Sequence, residues 1–220
     1  NRGLSEESLK LFKVGFTPKN SSFLLNAIKS KKLSDEIIQK SGLFGRSNSK
    51  YYDRFRSRII FPISNSSGKI IAFGGRVFGS DDPAKYMNSP ETPLYRKSEV
   101  FYGLNITRKY IREENNAIIV EGYTDLIQLF QSGIKNVIAV SGTAFTNRHV
   151  NQIRRLTSKV YLCYDGDTAG VNASLKAGYS LLKGGVEPLI ILLPNGADPD
   201  EWIKKIGPEE FISHGIGKAI

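Results

Sequence analysis

The sequence predicts an α/β protein, in which an α+β amino-terminal subdomain precedes a parallel β-sheet of βαβ units and a short helical tail. Three observations lead to this prediction. After residue 116, short apolar runs with β-branched residues alternate with longer helix-like segments, a pattern typical of βαβ units. Before residue 116, short amphipathic segments are followed by two strand-like runs. Several of the later apolar runs stop at a carboxylate beside a turn, which places acidic side chains at strand ends.

The chain of 220 residues is predicted to comprise three regions: a basic amino-terminal subdomain (1–115), the parallel-sheet subdomain (116–200) and the helical tail (201–220). A hydrophobic content of 40% argues against disorder. No apolar run approaches the roughly 20 residues of a membrane span. The single cysteine, Cys163, lies in a predicted buried strand and excludes an intrachain disulfide, which fits a cytoplasmic protein.

The elements of the first 115 residues are predicted from capping residues and turn signals. Ser21 or Ser22 is expected to cap the second of three short helices, and Ser34 the third. The predicted elements are helices at 5–13, 23–28 and 35–40, a polar loop at 45–53, a hairpin with strands 58–63 and 69–73, an irregular loop at 79–99, and a helix from 105 or 107 to about 114. Because long irregular loops in compact domains are often functional, the loop at 79–99 is a candidate binding segment.

The elements after residue 116 alternate between strands and helices. The strands are predicted at 117–121, 136–140, 159–164 and 187–193, and the helices at 123–132, 146–157, 168–184, 199–205 and 208–214. In a parallel sheet the carboxyl ends of all strands lie at one edge, where ligands bind. Glu121, Asp165 and the pair Asp198 and Asp200 follow three of these ends, so we expect at least four carboxylates to meet there.

The expected group of carboxylates predicts a divalent metal site. Neighbouring carboxylates raise one another's pKa, and a cation between them removes that penalty. Mg²⁺ prefers oxygen ligands from carboxylates, phosphate and water, and two such ions can clamp the oxygens of a phosphoryl displacement. A calcium loop starting at Asp165 is excluded because its twelfth position is Lys176 rather than a glutamate. No histidine or cysteine lies in the acidic motifs, so we predict Mg²⁺, with Mn²⁺ as a substitute, and no zinc.

The positive charge of the chain is confined to its first half. Residues 1–115 contain 21 Lys and Arg against 11 Asp and Glu, a net charge of +10, whereas residues 116–220 contain 10 of each kind. This asymmetry predicts a nucleic-acid surface beside an acidic metal site. Arg54, Arg56 and Arg58 alternate, so on a strand they would share one face and suit phosphate groups. A sheet face laced with salt bridges is the alternative interpretation of these three residues.

The acidic motifs resemble the signature of the Toprim domain, which is shared by primases, topoisomerases and some nucleases. The three motifs are Glu121-Gly-Tyr-Thr-Asp125, Asp165-Gly-Asp167 and Asp198-Pro-Asp200-Glu201. Four earlier segments are similar, in the same order, to blocks of the bacterial DnaG-type primases: 54–63, 72–76, 85–97 and 100–104. The resemblance covers nearly the whole chain and indicates the RNA polymerase core of such a primase.

The resemblance implies roles for individual residues. Glu121 would either bind metal or help to deprotonate the primer 3′-hydroxyl, and Asp125 would orient Glu121 or a metal-bound water. The residues implied in metal binding are Glu121, Asp165, Asp167, Asp198 and Asp200, and those implied in catalysis are Glu121, Asp165, Asp167, Lys85 and Lys97. The residues implied in binding nucleotide or DNA are Arg54, Arg56, Arg58, Arg76, Lys85, Asn88 and Lys97.

A DNA-dependent RNA polymerase activity follows from the resemblance: metal-assisted synthesis of short RNA primers from NTPs on a single-stranded DNA template. The family's zinc-binding domain and its domain for the replicative helicase are not found in these 220 residues. We therefore expect an excised, monomeric core that acts in the cytoplasm, at the nucleoid. Two alternatives stay open: a Toprim enzyme that breaks DNA, as a topoisomerase or nuclease, and a catalytically inactive module that binds single-stranded DNA.

Overall fold

A computed structural model describes residues 3–20, 22–79 and 82–220 of the chain. The described chain divides into two compact units. The parallel-sheet unit comprises the described part of Asn1–Ser8 together with Ser64–Lys69 and Lys97–Ile220, and the antiparallel-sheet unit comprises Leu9–Ile63 and Ile70–Arg96. Ser21, one of the two predicted helix caps, lies outside the described residues.

Strands and helices alternate in the second half of the chain and follow a less regular order in the first. The strands are β1 (Gly15–Thr17), β2 (Phe44–Ser47), β3 (Lys50–Asp53), β4 (Arg58–Ser64), β5 (Ile70–Val77), β6 (Tyr86–Asn88), β7 (Ala117–Val120), β8 (Val137–Ala139), β9 (Lys159–Leu162) and β10 (Glu187–Ile190). The α-helices are α1 (Glu6–Leu11), α2 (Phe23–Ile28), α3 (Asp35–Lys40), α4 (Leu104–Glu114), α5 (Tyr123–Gln131), α6 (Asn147–Ile153), α7 (Thr168–Lys183) and α8 (Pro199–Glu210). Two 3₁₀ turns (Lys29–Lys31 and Lys97–Glu99) and a π-helical turn (Phe211–Ile216) complete the described elements. The predicted α/β fold class is confirmed.

The four strands of the parallel-sheet unit lie in the order β10-β9-β7-β8, and every neighbouring pair is parallel. The chain passes from β7 to β8 on one side, and then crosses to β9 on the other side of β7. The direction of winding therefore reverses between β7 and β9. Open α/β sheets bind their ligands at such a switch point, beyond the carboxyl ends of the strands. Glu121 directly follows β7 and Asp165 closely follows β9, so both lie at this point.

The parallel sheet is buried because its central strands are apolar along their whole length. No residue of Ala117–Val120 in β7 or Val137–Ala139 in β8 has exposed surface. Continuous apolar runs of this kind are typical of parallel strands that helices cover on both faces. Ile111 of α4, Ile153 of α6 and Leu181 of α7 belong to the same buried cluster. β7 and β8 therefore contribute no polar side chains, and the acidic motifs lie beyond the strand ends.

The antiparallel-sheet unit contains a second sheet, with the order β1-β4-β5-β6. β1 pairs with β4 and β6 pairs with β5, both antiparallel. The predicted connection between the two longest strands is confirmed: in the turn that joins β4 to β5, the Asn65 backbone amide donates to the Lys69 carbonyl at 2.9 Å. β5 extends to Val77, four residues beyond the predicted end at 73, because Gly74 to Arg76 pair with β6.

The prediction of a polar loop at 45–53 is wrong, because β2 and β3 form an antiparallel hairpin in this segment. Asn48 and Ser49 make its two-residue turn, with φ angles of 45° and 64°. Such a turn needs positive φ at both central positions, and Asn-Gly is its strongest sequence signal. Asn-Ser is a weaker signal, so the hairpin was mistaken for a loop. The irregular loop predicted at 79–99 likewise contains β6 and the 3₁₀ turn Lys97–Glu99.

The boundary between the compact units differs from the domain boundary predicted after residue 115. Residues 97–115, which include α4, group with the parallel sheet, as do residues 201–220. The three regions 1–115, 116–200 and 201–220 therefore stay a prediction about function rather than a description of the compact units. No described helix combines the length and the apolar composition that crossing a bilayer would require.

Candidate metal centre and basic residues

The first acidic motif forms the junction between β7 and α5. Gly122 is the N-cap residue of α5, and the Asp125 side chain folds back so that its Oδ2 accepts a hydrogen bond from the Gly122 amide at 3.0 Å. This contact holds Asp125 in the first turn of the helix, where the residue is 7% exposed. Glu121, directly before the cap, is half-buried. The motif thus places two carboxylates within one turn of the switch point.

The second acidic motif lies beside the first, beyond the end of β9. The Asp165 backbone amide donates to Glu121 Oε1 at 3.4 Å, which brings the ends of β7 and β9 together. Asp167 is the N-cap of α7, and its Oδ1 accepts from the Gly170 amide at 2.7 Å. The Asp167 side chain is exposed, whereas Asp165 is half-buried. The predicted meeting of Glu121 and Asp165 is therefore found in the structure.

The third acidic motif opens α8, after the edge strand β10. Asp198 caps this helix through a hydrogen bond from the Glu201 amide to its Oδ1 at 2.7 Å. Pro199 occupies the first turn, where its missing N–H costs no helical hydrogen bond. Asp200 is fully buried, and its Oδ1 forms an ion pair with Nζ of Lys204, one turn further along the helix. Asp198 and Asp200 are thereby held on the same side of the sheet edge.

Three of these carboxylates form a cluster that could hold a metal ion. Ligand oxygens of Asp125, Asp198 and Asp200 all lie within 4.8 Å of one another. The possible metal ligands in this cluster are all carboxylate oxygens, which suit a hard divalent cation better than zinc. Sequence reasoning expected Asp198 and Asp200 as ligands but assigned Asp125 only an orienting role. The fold of the first turn of α5 brings Asp125 into the cluster, and nothing in its sequence spacing signalled this.

The concentration of negative charge perturbs two carboxyl groups of the site. Burial raises the pKa of Glu121, and the nearby charges of Asp165 and Asp167 raise it further. For Asp125, burial raises the pKa to about 7, with contributions from Asp198, Asp165 and Asp200 that outweigh the hydrogen bond from Gly122. Without a bound cation, the site therefore takes up protons near neutral pH. A divalent ion would favour the ionised carboxylates and release those protons.

In the metal-free protein, we expect the free energy of unfolding to fall as the pH rises from about 4 to about 7. Asp125 has a raised pKa of about 7 in the folded state, against 3.8 when unperturbed, so in this interval the folded state binds more protons than the unfolded state. The contribution of Asp125 to the free energy of unfolding is therefore highest below its unperturbed pKa of 3.8, and it is lost as the pH approaches the folded-state pKa of about 7. The loss should be on the order of 4 kcal/mol, because each pKa unit corresponds to about 1.4 kcal/mol. Glu121 acts in the same direction.

Urea unfolding in EDTA at pH 5, 6, 7 and 8 measures this dependence. Asp125→Asn keeps an oxygen that can accept from Gly122 but cannot ionise, so its unfolding free energy should change less with pH. A variant whose pH dependence equals that of the unaltered protein would contradict the assignment to Asp125.

The three arginines that were predicted to share a strand face do not do so. β3 ends at Asp53 and β4 starts at Arg58, so Arg54 and Arg56 lie in the irregular segment between the strands. Ser57 adopts a positive φ of 49°, which breaks the alternation immediately before β4. The alternating sequence is real, but the segment is not a continuous strand, and the prediction of a common face is wrong.

Arg58 is a buried structural residue, with 1% of its surface exposed. Its Nη2 donates to Asp82 Oδ2 at 2.6 Å and its Nη1 donates to the Ala84 carbonyl at 2.8 Å. The same guanidinium lowers the pKa of Asp82, after the larger effect of the Ala84 amide hydrogen bond. Arg58 therefore joins β4 to the segment before β6. The salt-bridge interpretation describes it better than phosphate binding does.

Replacing Arg58 with Met should lower the free energy of unfolding by about 2 kcal/mol, because it removes buried hydrogen bonds and leaves carbonyl oxygens unpaired. Urea unfolding of the purified protein measures the change. Arg56→Met is the matched control: Arg56 is exposed, with its guanidinium 5.1 Å from the Tyr52 ring centre. That variant should lose less than about 1 kcal/mol. Equal losses in the two variants would contradict the structural role of Arg58.

The remaining predicted binding residues are distributed over both units. Arg76, Lys85 and Asn88 lie in the antiparallel-sheet unit, at the end of β5 and around β6. Arg76 is half-buried, with its guanidinium 5.4 Å from the Tyr86 ring centre, and Lys85 is exposed. Asn88 pairs with Gly74 across the two strands. Lys97 belongs to the parallel-sheet unit, where it starts a 3₁₀ turn.

Comparison with known proteins assigns both parts of the chain. Residues 1–108 match the family model described as DNA primase catalytic core, N-terminal domain, and residues 118–203 match the model described as Toprim-like. The DNA primase of Staphylococcus aureus (strain COL) is 41% identical over 212 residues, which cover 96% of this chain and 35% of that protein. The chain thus spans about a third of the length of the curated relatives it matches.

Solved structures agree in fold as well as in sequence. A DNA primase domain from Pseudomonas aeruginosa superimposes with a TM-score of 0.92 at 39% identity, covering 99% of this chain and 69% of the other. The DnaG primase catalytic domain bound to single-stranded DNA gives a TM-score of 0.89 at 38% identity, covering 100% of this chain and 69% of the other. These similarities extend over both compact units.

Proposed function

Because this chain belongs to the bacterial DnaG-type primases, we propose that it is the catalytic core of a primase, which copies single-stranded DNA into short RNA primers. The observation that carries the proposal is the meeting of acidic motifs from three strand ends at the switch point of the parallel sheet. The hydrogen bond from Asp165 to Glu121 and the cluster of Asp125, Asp198 and Asp200 support it. The relative bound to single-stranded DNA supports the choice of template.

The carboxylate-only donor set supports Mg²⁺ as the cofactor, with Mn²⁺ as a substitute. Asp125, Asp198 and Asp200 would hold one ion, and Asp165 and Asp167 with Glu121 would complete the metal-binding residues. When bound, the metal supplies positive charge that stabilises the phosphoryl oxygens of the reacting nucleotides. The primase reaction and the divalent-metal cofactor together define the proposed enzyme as a metal-dependent nucleotidyltransferase.

Glu121 has two possible roles, and its surroundings are compatible with both. Its pKa is raised by burial and by Asp165, which brings it closer to the range in which a carboxylate accepts a proton from a primer 3′-hydroxyl. Its position beside Asp165 also suits a metal ligand. Glu121→Gln separates the two roles. If Glu121 is the base, Glu121→Gln should leave Mn²⁺ binding intact and abolish the rise of the reaction rate with pH. If Glu121 is a metal ligand, the variant should also bind Mn²⁺ more weakly.

The basic residues outside the acidic site would bind the template and the nucleotide triphosphate. Arg54 and Arg56 do not share the buried hydrogen bonds that Arg58 makes to Asp82 and Ala84. They are proposed to contact template phosphates. Arg76, Lys85, Asn88 and Lys97 are proposed to contact nucleotide or template, and Lys85 and Lys97 to offset charge in the transition state. Phosphate contacts of this kind make binding fall steeply with salt concentration.

A primer-synthesis assay with single-stranded DNA, the four NTPs and Mg²⁺ tests the function. We expect incorporation of ribonucleotides that requires both the template and a divalent ion. Relaxation of supercoiled DNA or cleavage of a strand without incorporation would favour the DNA-breaking alternative. Template binding without either reaction would favour the inactive binding module. A replicative helicase partner, a location at the nucleoid and a monomeric core belong to the same proposal.

A further inference from the structure

Lys204 is a positively charged residue within the acidic site that none of the acidic motifs contains. It lies one turn after Asp200 in α8, and its Nζ is in direct contact with Asp200 Oδ1. The Asp200 side chain is 1% exposed and that of Lys204 is 34% exposed. The ammonium group therefore reaches inward from the surface to a buried carboxylate.

The carboxylate that Lys204 contacts belongs to the cluster proposed to hold a metal ion. Asp200 lies with Asp125 and Asp198 in a group whose ligand oxygens are within 4.8 Å of one another. Each of the other two has a backbone donor: Gly122 for Asp125 and Glu201 for Asp198. The Asp200 carboxylate contacts the ammonium group of Lys204. A buried carboxylate among other carboxylates requires a compensating cation, and Lys204 supplies one from the chain itself.

We propose that Lys204 is a built-in counterion of the metal site, which neutralises Asp200 in the metal-free protein and must leave Asp200 Oδ1 before a divalent ion can bind there. This inference rests on the proposed function, because it takes the acidic cluster to be a metal site. An ammonium group and a divalent ion cannot share one oxygen at close range without strong repulsion. Lys204 therefore weakens metal binding, while it keeps the empty site folded and charge-balanced. Its partly exposed side chain has room to move towards solvent.

Three single-residue variants, compared with the unaltered protein, test the proposal through their affinities for Mn²⁺. Lys204→Met keeps the aliphatic stem and removes the charge, so Mn²⁺ should bind roughly three- to tenfold more tightly. Lys204→Arg keeps a cation that can grip a carboxylate with two hydrogen bonds, so Mn²⁺ should bind no more tightly than to the unaltered protein. Lys205→Met removes the next charge on the same helix. Among the residues that the structure describes, Lys205 forms no ion pair, so Mn²⁺ affinity should stay within about twofold.

Isothermal titration with Mn²⁺ at low ionic strength measures these affinities, and circular dichroism checks that each variant is folded. Thermal unfolding is a second measurement. Without metal, Lys204→Met should unfold at a lower temperature than Lys205→Met, and saturating Mn²⁺ should reduce or reverse that difference. Equal or weaker Mn²⁺ binding by Lys204→Met would overturn the proposal. Asp200→Asn separates this outcome from failure of the proposed function: if the unaltered protein binds Mn²⁺ and Asp200→Asn does not, the metal site stands whatever Lys204 does.

Discussion

Replacing Asp165 with Asn is expected to lower the rate of primer synthesis on the order of 10³-fold. Asp165 follows β9 at the switch point of the sheet, where its backbone amide contacts Glu121. Its charge also raises the pKa of Glu121 and of Asp125, so it acts on both parts of the acidic site. Asn keeps the size of the side chain but supplies no negative charge to a metal ion or to the reacting groups. The change therefore removes a charge without removing packing.

The measurement is incorporation of labelled NTP on single-stranded DNA, with Mn²⁺ binding and DNA binding measured alongside. Mn²⁺ affinity should fall, whereas affinity for DNA should be unchanged or slightly higher, because one negative charge is lost. Glu209→Gln is a suitable control, since Glu209 is an exposed acid at the end of α8, and it should keep its activity within about twofold. Activity of Asp165→Asn within tenfold of the unaltered protein would remove Asp165 from the catalytic residues.

Replacing Gly170 with Ala is expected to disrupt the same site through its backbone. A Cβ on Gly170 would collide with the carbonyl oxygen of Asp165 and would lie 2.9 Å from both the carbonyl carbon and the amide nitrogen of that residue. These are backbone atoms, which cannot move aside without shifting the Asp165–Asp167 turn. The Gly170 amide also donates to Asp167. We expect a loss of about 2–3 kcal/mol in the free energy of unfolding, and a loss of activity on the order of 10²-fold from misplaced carboxylates.

Gly178→Ala, on the same helix, provides a matched control. A Cβ there would lie 3.8 Å from Leu162 and Pro188 side-chain atoms, which is an ordinary packing distance. Because Ala favours a helix interior over Gly, this variant should be more stable by about 0.5–1 kcal/mol and fully active. Urea unfolding and primer synthesis measure both variants. Gly170→Ala with native stability and activity would show that the turn tolerates a side chain.

Most helices and strands could be predicted from the sequence because their signals are local. The alternation of apolar runs with amphipathic segments after residue 116 predicted β7 to β10 and α5 to α7 within about four residues at each end, whereas α8 ends at Glu210 rather than at the predicted 205. Ser34 caps α3 as predicted, with its side chain accepting from the Ile37 amide at 3.4 Å. The hairpin of β2 and β3 was missed because its turn lacks the usual glycine, so the decisive information was a backbone angle rather than a residue pattern.

The candidate site was predicted in outline for the same reason, and corrected where tertiary contacts matter. Glu121 and Asp165 were expected together because parallel strands end at a common edge, and the structure brings them together. Asp125 was assigned only an orienting role, yet it lies with Asp198 and Asp200. Arg58 was expected to face phosphate, yet it is buried against Asp82. In both cases the deciding partner is far away in the sequence, so no local pattern could reveal it.

The sequence by itself determined the alternation of strands and helices after residue 116, the acidic residue at the end of each of three βα units, and the basic first half, because these follow from periodicity, caps and charge along the chain. Only the tertiary structure decided which carboxylates form the metal cluster, which lysine neutralises it, which arginine is buried, and where a glycine must allow two backbones to approach. The physical reason is that these properties depend on interatomic distances that folding sets, even between residues as close in the chain as Asp200 and Lys204 or Asp165 and Gly170, and a residue pattern does not specify such distances.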